Sequence, residues 1–481
     1  MGDSMGDYWR LVRFMVPLAF ITIAPDIADQ ALSRSIAFSE NVTASYGLAF
    51  SLTKFMGGGL QQTRHIGLIL VHQAADGQRA VALTVVMGLV VAVIHILIGL
   101  TPLGLLLIEK AHQVDSVVGA GSRRAMLFLG GFPLLDGLSF VFVGMLLQYH
   151  HSLIVAVSFI SDCCAQVVLS LSLMESALQS WDPILIPILA QYAALLVRLS
   201  IILAGFLYKV RPKIKQAQPL AEKESFTVVR ALKFWWPLAL VTVCNKLSRP
   251  IINLLVARDL GGSAAVEAVA VLTVVYPIGH MPYSCLNEMK SVVPAFRKRG
   301  QGRRVIPWLT LSKFALACLL LVLTVALVVF YVPGITFAIM TGWIETSANI
   351  ARLCQKPLQI FAFVAVPVGV RAFLSSWLMV QKRTWILTPS AIVRTVALVT
   401  ALVVLPKLHI RGADMGIAAL LTGFLAEVAV VALGFLIIRR RLQNQMPTPD
   451  DTSTETGGAT SPGSQTDEAG RPMLTEHETT L

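Results

Sequence analysis

The chain has 481 residues, a mean hydropathy of +0.71 and only 14% charged side chains, against about 25% in an ordinary soluble domain. This composition excludes a soluble globular protein. It indicates a polytopic helical membrane protein, because apolar runs of roughly 20 residues recur along the chain. The net charge of +12 does not indicate a nucleic-acid partner, since most of the excess lies in short loops, where basic residues set membrane topology.

Hydropathy predicts about twelve transmembrane helices in two sets of six. We assign residues 1–215 to an N-terminal six-helix lobe with its linker, 216–445 to a C-terminal six-helix lobe, and 446–481 to a disordered cytoplasmic tail that is poor in large apolar side chains. The predicted spans lie near residues 11–34, 44–63, 80–108, 125–147, 152–174, 183–208, 232–257, 264–289, 307–331, 357–381, 385–405 and 413–438.

The two lobes are predicted to be internal repeats. Residues 10–22 and 230–242 share six identical residues in one ungapped frame. Six crossings separate the two copies, and an even number restores the orientation, so the repeats are parallel rather than inverted. The predicted fold class is therefore all-α, with two parallel six-helix lobes.

Basic clusters predict the orientation of the chain. Lys and Arg are concentrated in residues 209–233 and 290–313 and at the ends of later spans. If cytoplasmic loops carry this excess, both termini are cytoplasmic. The sequon Asn41-Val42-Thr43 then lies outside, in the first loop, and Asn41 is a candidate glycosylation site.

Ionisable side chains fall inside the predicted spans, where they are costly and mark function. The first lobe presents acids where the second presents bases. Asp136 and Asp162 lie in the fourth and fifth spans, and Arg371 and Arg394 lie in the tenth and eleventh. An offset of 220 residues also pairs Asp26 with Lys246, Asp29 with Arg249 and Ser33 with Asn253.

Two further charges reverse this pattern and leave two interpretations open. Arg198 lies in the sixth span and Glu427 in the twelfth. Salt bridges within each lobe would join Arg198 to Asp162 or Asp136, and Glu427 to Arg394 or Arg371. Because such pairing cannot neutralise every charge, the surplus is expected to face water or a ligand.

The eighth span contains Tyr276–Tyr283, which reads YPIGHMPY. Two prolines and a glycine are expected to interrupt the helix there, and irregular backbone at that depth is tolerated where it lines a cavity. His280 is either a ligand-binding residue in this cavity or a packed interior side chain.

Sequence motifs for enzymes are absent, with no Walker A loop, HExxH, GxSxG elbow or Rossmann fingerprint. The cysteines have no metal-ligand spacing. We therefore predict a protein that is not an enzyme and that has neither cofactor nor metal. The C-terminal Thr479-Thr480-Leu481 fits the extended peptide that PDZ domains bind.

Several long strings closely resemble the progressive ankylosis protein family, and the likeness covers nearly the whole chain except the tail. They are DQALSR at Asp29–Arg34, ASYGLAFSLTKF at Ala44–Phe55, FWWPLAL at Phe234–Leu240, SRPIINLLVARDLGG at Ser248–Gly262, YPIGHMPY at Tyr276–Tyr283, VPAF at Val293–Phe296 and LTPSAIVR at Leu387–Arg394.

The resemblance implies a fold similar to the multidrug and toxin extrusion superfamily, with two six-helix lobes that rock around a central cavity. It also implies a plasma-membrane exporter that raises extracellular pyrophosphate and limits mineral deposition, with pyrophosphate, ATP or citrate as the species moved. Two rival functions stay open: a flippase for an anionic lipid, and a regulator that itself transports nothing.

On this basis we assign two sets of candidate site residues. The expected anion-binding residues are Lys246, Arg249, Asn253, His280, Arg371 and Arg394, because guanidinium groups give forked hydrogen bonds to phosphate and carboxylate oxygens. The expected coupling or gating residues are Asp26, Asp29, Asp136 and Asp162.

Overall fold

A computed structural model describes residues 2–36, 40–110, 115–216, 226–297, 305–332, 334–343 and 348–444. Within these residues the chain is helical and contains no β-strand. The tail at 446–481, with its PDZ-binding prediction at Thr479-Thr480-Leu481, lies outside the described residues.

Twelve long helices succeed one another in this part of the chain. The first two, α1 (Gly2–Ser35) and α2 (Glu40–Gly57), lie where the first two spans are predicted. Ten further described helices are long and apolar enough to cross a membrane. They are α3 (Ala74–Leu100), α4 (Ser116–Gln148), α5 (Ser152–Met174), α6 (Leu185–Gln216), α7 (Val228–Leu260), α8 (Glu267–Arg297), α9 (Trp308–Tyr331), α10 (Ala348–Val380), α11 (Thr384–Leu408) and α12 (Gly412–Arg441). The all-α polytopic fold is thus confirmed.

Local sequence explains where the central helix α7 begins and ends. The hydroxyl of Thr227 accepts a hydrogen bond from the backbone N–H of Arg230 at 3.3 Å, which caps the first turn. The helix stops at Gly261, whose φ of +65° favours glycine because a Cβ would be strained there.

Each half of the chain has its own hydrophobic core. One core gathers residues from Ile36 to Ile188 and the other gathers residues from Ile252 to Phe424. In the first half α5 packs against α1 and α6, and in the second α11 packs against α7. Both cores lie within the compact unit Met1–Ala432, and a second unit, Leu433–Leu481, follows it. The lobe boundary at residues 215 and 216 stays a prediction.

The predicted interruption at Tyr276–Tyr283 is wrong in its position. The helix runs unbroken through Gly262–Ser284 with both prolines inside it, and a tight turn follows only at Cys285–Glu288. Close packing restrains the backbone at this point: a Cβ at Gly279 would lie 2.5 Å from the ring of Phe361. Glycine is needed here for that approach, and not to break the helix.

The expectation that Asn41 lies in a loop is also corrected. Asn41 lies in the first turn of α2 and its side chain is exposed. The hydroxyl of Thr43 donates a hydrogen bond to the carbonyl of Ile36 at 2.8 Å. The sequon is therefore accessible but helical.

The two lobes are in contact at one end of the bundle, which we call the basic end; it contains the loop Tyr149–His151 and Arg297. There Phe14 packs edge-on against Phe296 at 5.3 Å, and Nε2 of His150 lies 2.9 Å from the carbonyl oxygen of Ala295. The guanidinium carbon of Arg10 lies 5.8 Å from the centroid of the Phe296 ring. Aromatic and hydrogen-bonding contacts therefore close this end.

Contacts between the lobes continue from the basic end toward the middle of α7. The indole N–H of Trp235 donates to the carbonyl oxygen of Gly59 at 2.9 Å, and the Nζ of Lys246 donates to that of Lys54 at 2.6 Å. Helix α7 thereby fixes the second lobe against the end of α2.

Glycosylation tests the orientation of this bundle. In animal cells we expect Asn41→Gln to remove a glycan-dependent shift on a gel, because the exposed sequon faces outside when both termini are cytoplasmic. Thr43→Ser keeps the sequon and is the matched control that should keep the shift. A C-terminal epitope that is stained in intact cells would contradict this orientation.

Candidate functional site

The first lobe contains a buried ionic group built from three helices. Arg198 of α6 lies between Asp136 of α4 and Asp162 of α5, and all three side chains are nearly excluded from solvent. Its Nη2 contacts Oδ1 of Asp136, and its Nη1 donates to Oδ2 of Asp162 at 3.2 Å. The guanidinium thus bridges both acids, and the group keeps one net negative charge.

A cavity of about 110 Å³ opens beside this group. Its wall includes two amide oxygens, Oε1 of Gln166 and Oε1 of Gln191, that are buried and have no hydrogen-bond partner among the described residues. The rings of Phe140 and Phe159 flank Arg198, with centroids 5.6 and 4.8 Å from its guanidinium carbon. The cavity therefore presents buried acceptors beside two acids, which suits a hydrogen-bond donor, while the side chain of Lys54 in the same wall opposes the negative charge of the ionic group.

The second lobe contains the same construction with the charges inverted. Glu427 of α12 accepts from Nη1 of Arg371 on α10 at 3.0 Å and from Nη1 of Arg394 on α11 at 3.3 Å. All three side chains are buried, with Glu427 only 1% exposed. The shared carboxylate leaves one net positive charge on this group.

Neighbouring side chains hold the two guanidinium groups of the second lobe in place. Nη2 of Arg371 donates to Asn287 at 3.1 Å, and Nη2 of Arg394 donates to the hydroxyl of Ser248 on α7 at 3.4 Å. The ring of Phe424 lies 3.9 Å from the guanidinium carbon of Arg394. The Nε of both arginines is buried and has no partner among the described residues, so each keeps a donor available.

The predicted trio on α7 separates into different environments. Lys246 reaches across to the first lobe at Lys54, as described above. Arg249 is exposed, and its guanidinium carbon lies 5.0 Å from the centroid of the Tyr276 ring. The amide oxygen of Asn253 is buried and has no partner in the described part of the chain. Helix α7 meets Arg394 through Ser248.

His280 belongs to an aromatic group in α8. Its ring packs edge-on against Tyr283 at 5.1 Å, and Tyr283 stacks on Phe361 at 5.8 Å. The half-buried position of His280 supports the packed interpretation, and its role in binding stays a prediction. Asp26 and Asp29 lie on α1, but their side chains are outside the described part of the structure.

Sequence reasoning missed an ion pair that joins the two lobes. Nη1 of Arg64, in the short helix Thr63–Ile69, lies 3.0 and 2.9 Å from the two carboxylate oxygens of Glu288. Glu288 lies one residue before the predicted end of the eighth span, yet it is only 4% exposed. Hydropathy could not reveal this pair, because it shows neither the turn at Cys285–Glu288 that precedes the helix Met289–Arg297 nor which side chain of the other lobe faces it.

Comparison with solved structures identifies the fold. A mutant of the MATE transporter VcmN from Vibrio cholerae is similar with a TM-score of 0.70 and 13% identity, over 92% of this chain and 99% of that one. A MOP superfamily transporter from Pyrococcus furiosus has a TM-score of 0.66 and 14% identity, over 91% and 96%. The eukaryotic MATE transporter AtDTX14 has a TM-score of 0.65 and 12% identity, again over 91% and 96%. Identities this low show the fold alone, and the expected similarity to the multidrug and toxin extrusion fold is confirmed.

Comparison with protein families supplies the closer relationship. The sequence model described as "Progressive ankylosis protein (ANKH)" matches residues 2–332. This match covers more than half of the chain, and it includes the strings from DQALSR to VPAF on which the resemblance was first based. The chain is therefore a multi-pass membrane protein that belongs to the progressive ankylosis protein family.

Proposed function

We propose that this protein is a transporter rather than an enzyme, and that it exports small polyanions such as pyrophosphate, ATP or citrate across the plasma membrane by alternating access. The observation that carries the proposal is the buried pair Arg371 and Arg394, which shares the single carboxylate of Glu427. Family membership and the MATE-like fold support a transporter, and the sign of this group supports an anionic substrate.

The geometry explains how an anion would be held. In a site shielded from water, a guanidinium attracts phosphate or carboxylate oxygens more strongly than it does in solution. Glu427 orients both guanidinium groups through their Nη1 atoms. The Nε donors are buried, so an anion would reach them only in a state in which the second lobe is open, and it would there take up the unneutralised charge.

The ionic group of the first lobe would have the opposite effect on an anion, because its net charge has the opposite sign. Its ionic group keeps one negative charge and lines a cavity, so Asp136 and Asp162 would accept a coupling cation or repel the anion toward release. Asp26 and Asp29 are proposed to contribute to this field from α1. Since Arg198 already bridges two of these acids, it would compete with any cation for them.

The relatives show that this fold does not dictate the charge of its site. The Pyrococcus furiosus transporter is described as having a reversed polarity of its binding pocket that suggests a different function. A difference in the polarity of the pocket within one fold is consistent with the anion site proposed here.

Reconstitution tests the proposed function directly. We expect purified protein in liposomes to move labelled pyrophosphate, ATP or citrate, and Arg371→Gln and Arg394→Gln each to reduce the flux about tenfold or more, because hydrogen bonds between charged groups contribute about 1.5–3 kcal/mol each. Arg383→Gln removes an exposed arginine and is the control that should transport normally. Protein that moves none of the three anions contradicts the proposal, and movement of a labelled anionic lipid instead would favour the flippase.

The shared carboxylate provides a second, independent test. We expect Glu427→Gln to lower the Tm, because two buried guanidinium groups lose their counter-ion at a cost of about 3–5 kcal/mol. Added pyrophosphate or citrate should raise the Tm of this variant more than that of the wild type, since the anion replaces the lost charge. Thermal unfolding of detergent-solubilised protein measures both effects.

The inverted group of the first lobe supplies the matched control. Asp162→Asn also breaks a contact with a buried arginine, but Asp136 still neutralises Arg198. We therefore expect destabilisation without additional rescue by anions. An equal response of both variants to pyrophosphate would place the anion site outside the second lobe.

A further inference from the structure

The tight turn Cys285–Glu288 contacts both the buried arginine group and the opposite lobe. Asn287 accepts a hydrogen bond from Arg371 on one side, and on the other side Glu288 pairs with Arg64 of the first lobe. These two residues are adjacent in the chain. The turn therefore links the second lobe's ionic group to the ion pair that holds the lobes together.

Lys290 lies two residues beyond this turn, within the field of both ion pairs. The charges of Arg371, Glu427, Arg64 and Glu288 all act on its ammonium group. Lys290 is half-buried, yet it has neither a hydrogen bond nor an ion pair with any described residue. A half-buried ammonium without an acid partner can be compensated by water or by a bound anion.

The cluster as a whole has an excess of positive charge. Four basic side chains meet only two carboxylates, so three guanidinium groups and the side chain of Lys290 share two acids in a largely buried region. The four bases are Arg64, Lys290, Arg371 and Arg394, and the two carboxylates are Glu288 and Glu427. Such an excess is costly unless water or an anion compensates it.

We propose that Lys290 is a second anion-binding position at the basic end of the second lobe, and that an oxyanion bound there with Arg64 releases Glu288 and unlocks the two lobes. The proposal rests on the proposed function and specifies how the substrate controls access to its site. The ligand class is a phosphate- or carboxylate-bearing anion with at least two negative charges, which would compensate the excess of basic groups.

The physical basis is competition for one guanidinium. A single nitrogen of Arg64, Nη1, donates to both carboxylate oxygens of Glu288, at 3.0 and 2.9 Å. The other N–H groups of the same guanidinium can therefore donate to an anion held by Lys290. Once Glu288 is displaced, the ion pair between the lobes is lost, and the contacts of Phe14 and His150 with Phe296 and Ala295 are what still hold the lobes together nearby. A ligand shifts such an equilibrium only through its different affinity for the two states, and this competition provides that difference.

Two variants separate binding from locking. Lys290→Met removes the charge, and we expect the concentration of pyrophosphate for half-maximal transport to rise about tenfold or more, whereas Lys290→Arg should stay close to the wild type. Lys313→Met, an exposed lysine on α9, is the matched control and should change nothing. Glu288→Gln should open the basic end without any anion, because it removes the ion pair with Arg64.

Lobe separation is measured independently of transport. Spin labels at Lys215→Cys and Gln381→Cys, both exposed, would report the distance between the lobes after the native cysteines are replaced by serine. Pyrophosphate should lengthen this distance in the wild type but not in Lys290→Met, and Glu288→Gln should show the longer distance at once. If the wild type transports pyrophosphate and Lys290→Met reaches half-maximal transport at the same pyrophosphate concentration, this inference is overturned. The proposed function is then unaffected. An unchanged distance in Glu288→Gln also overturns it. Wild-type protein that moves none of the anions overturns both.

Discussion

The architecture depends on one physical constraint: a charge inside the hydrocarbon core must have a partner of opposite sign. Each lobe meets it with three ionised side chains from three different helices, α4, α5 and α6 in the first lobe and α10, α11 and α12 in the second. Removing the shared member, Arg198 in the first lobe or Glu427 in the second, would leave two like charges buried without a counter-ion. These groups therefore fix the relative positions of three helices in each lobe as well as carrying charge.

Inversion of sign between the two groups distinguishes the lobes. Acid, acid and base in the first repeat become base, base and acid in the second, in the same order along the chain. The construction of the fold is kept, while the net charge changes from one negative to one positive. A parallel repeat thus presents two opposite environments in a single bundle, and the proposed transport would use this difference to attract an anion to one lobe and repel it from the other.

The second lobe and the contact between the lobes are parts of a single charged network. Asn287 and Glu288 are adjacent, but one contacts Arg371 within the second lobe and the other contacts Arg64 of the first. A ligand that changes the balance of charge at the arginines therefore acts within a few ångströms of the ion pair that joins the lobes. Binding and access can be coupled over this distance without a long-range pathway.

The sequence by itself determined the membrane class, the parallel repeat, the family and the presence of Asp136, Asp162, Arg371 and Arg394 within apolar spans, because apolar runs, repeated strings and misplaced charges are local properties of the chain. It left open which charges pair. Only the tertiary structure decided that Arg198 bridges two acids, that Glu427 serves two arginines, and that Arg64 meets Glu288 across the lobes. The physical reason is that an ion pair depends on the distance between helices that are far apart in the chain. Hydropathy places Glu288 and Lys290 at the end of a span, but it does not show which side chains of other helices lie beside them.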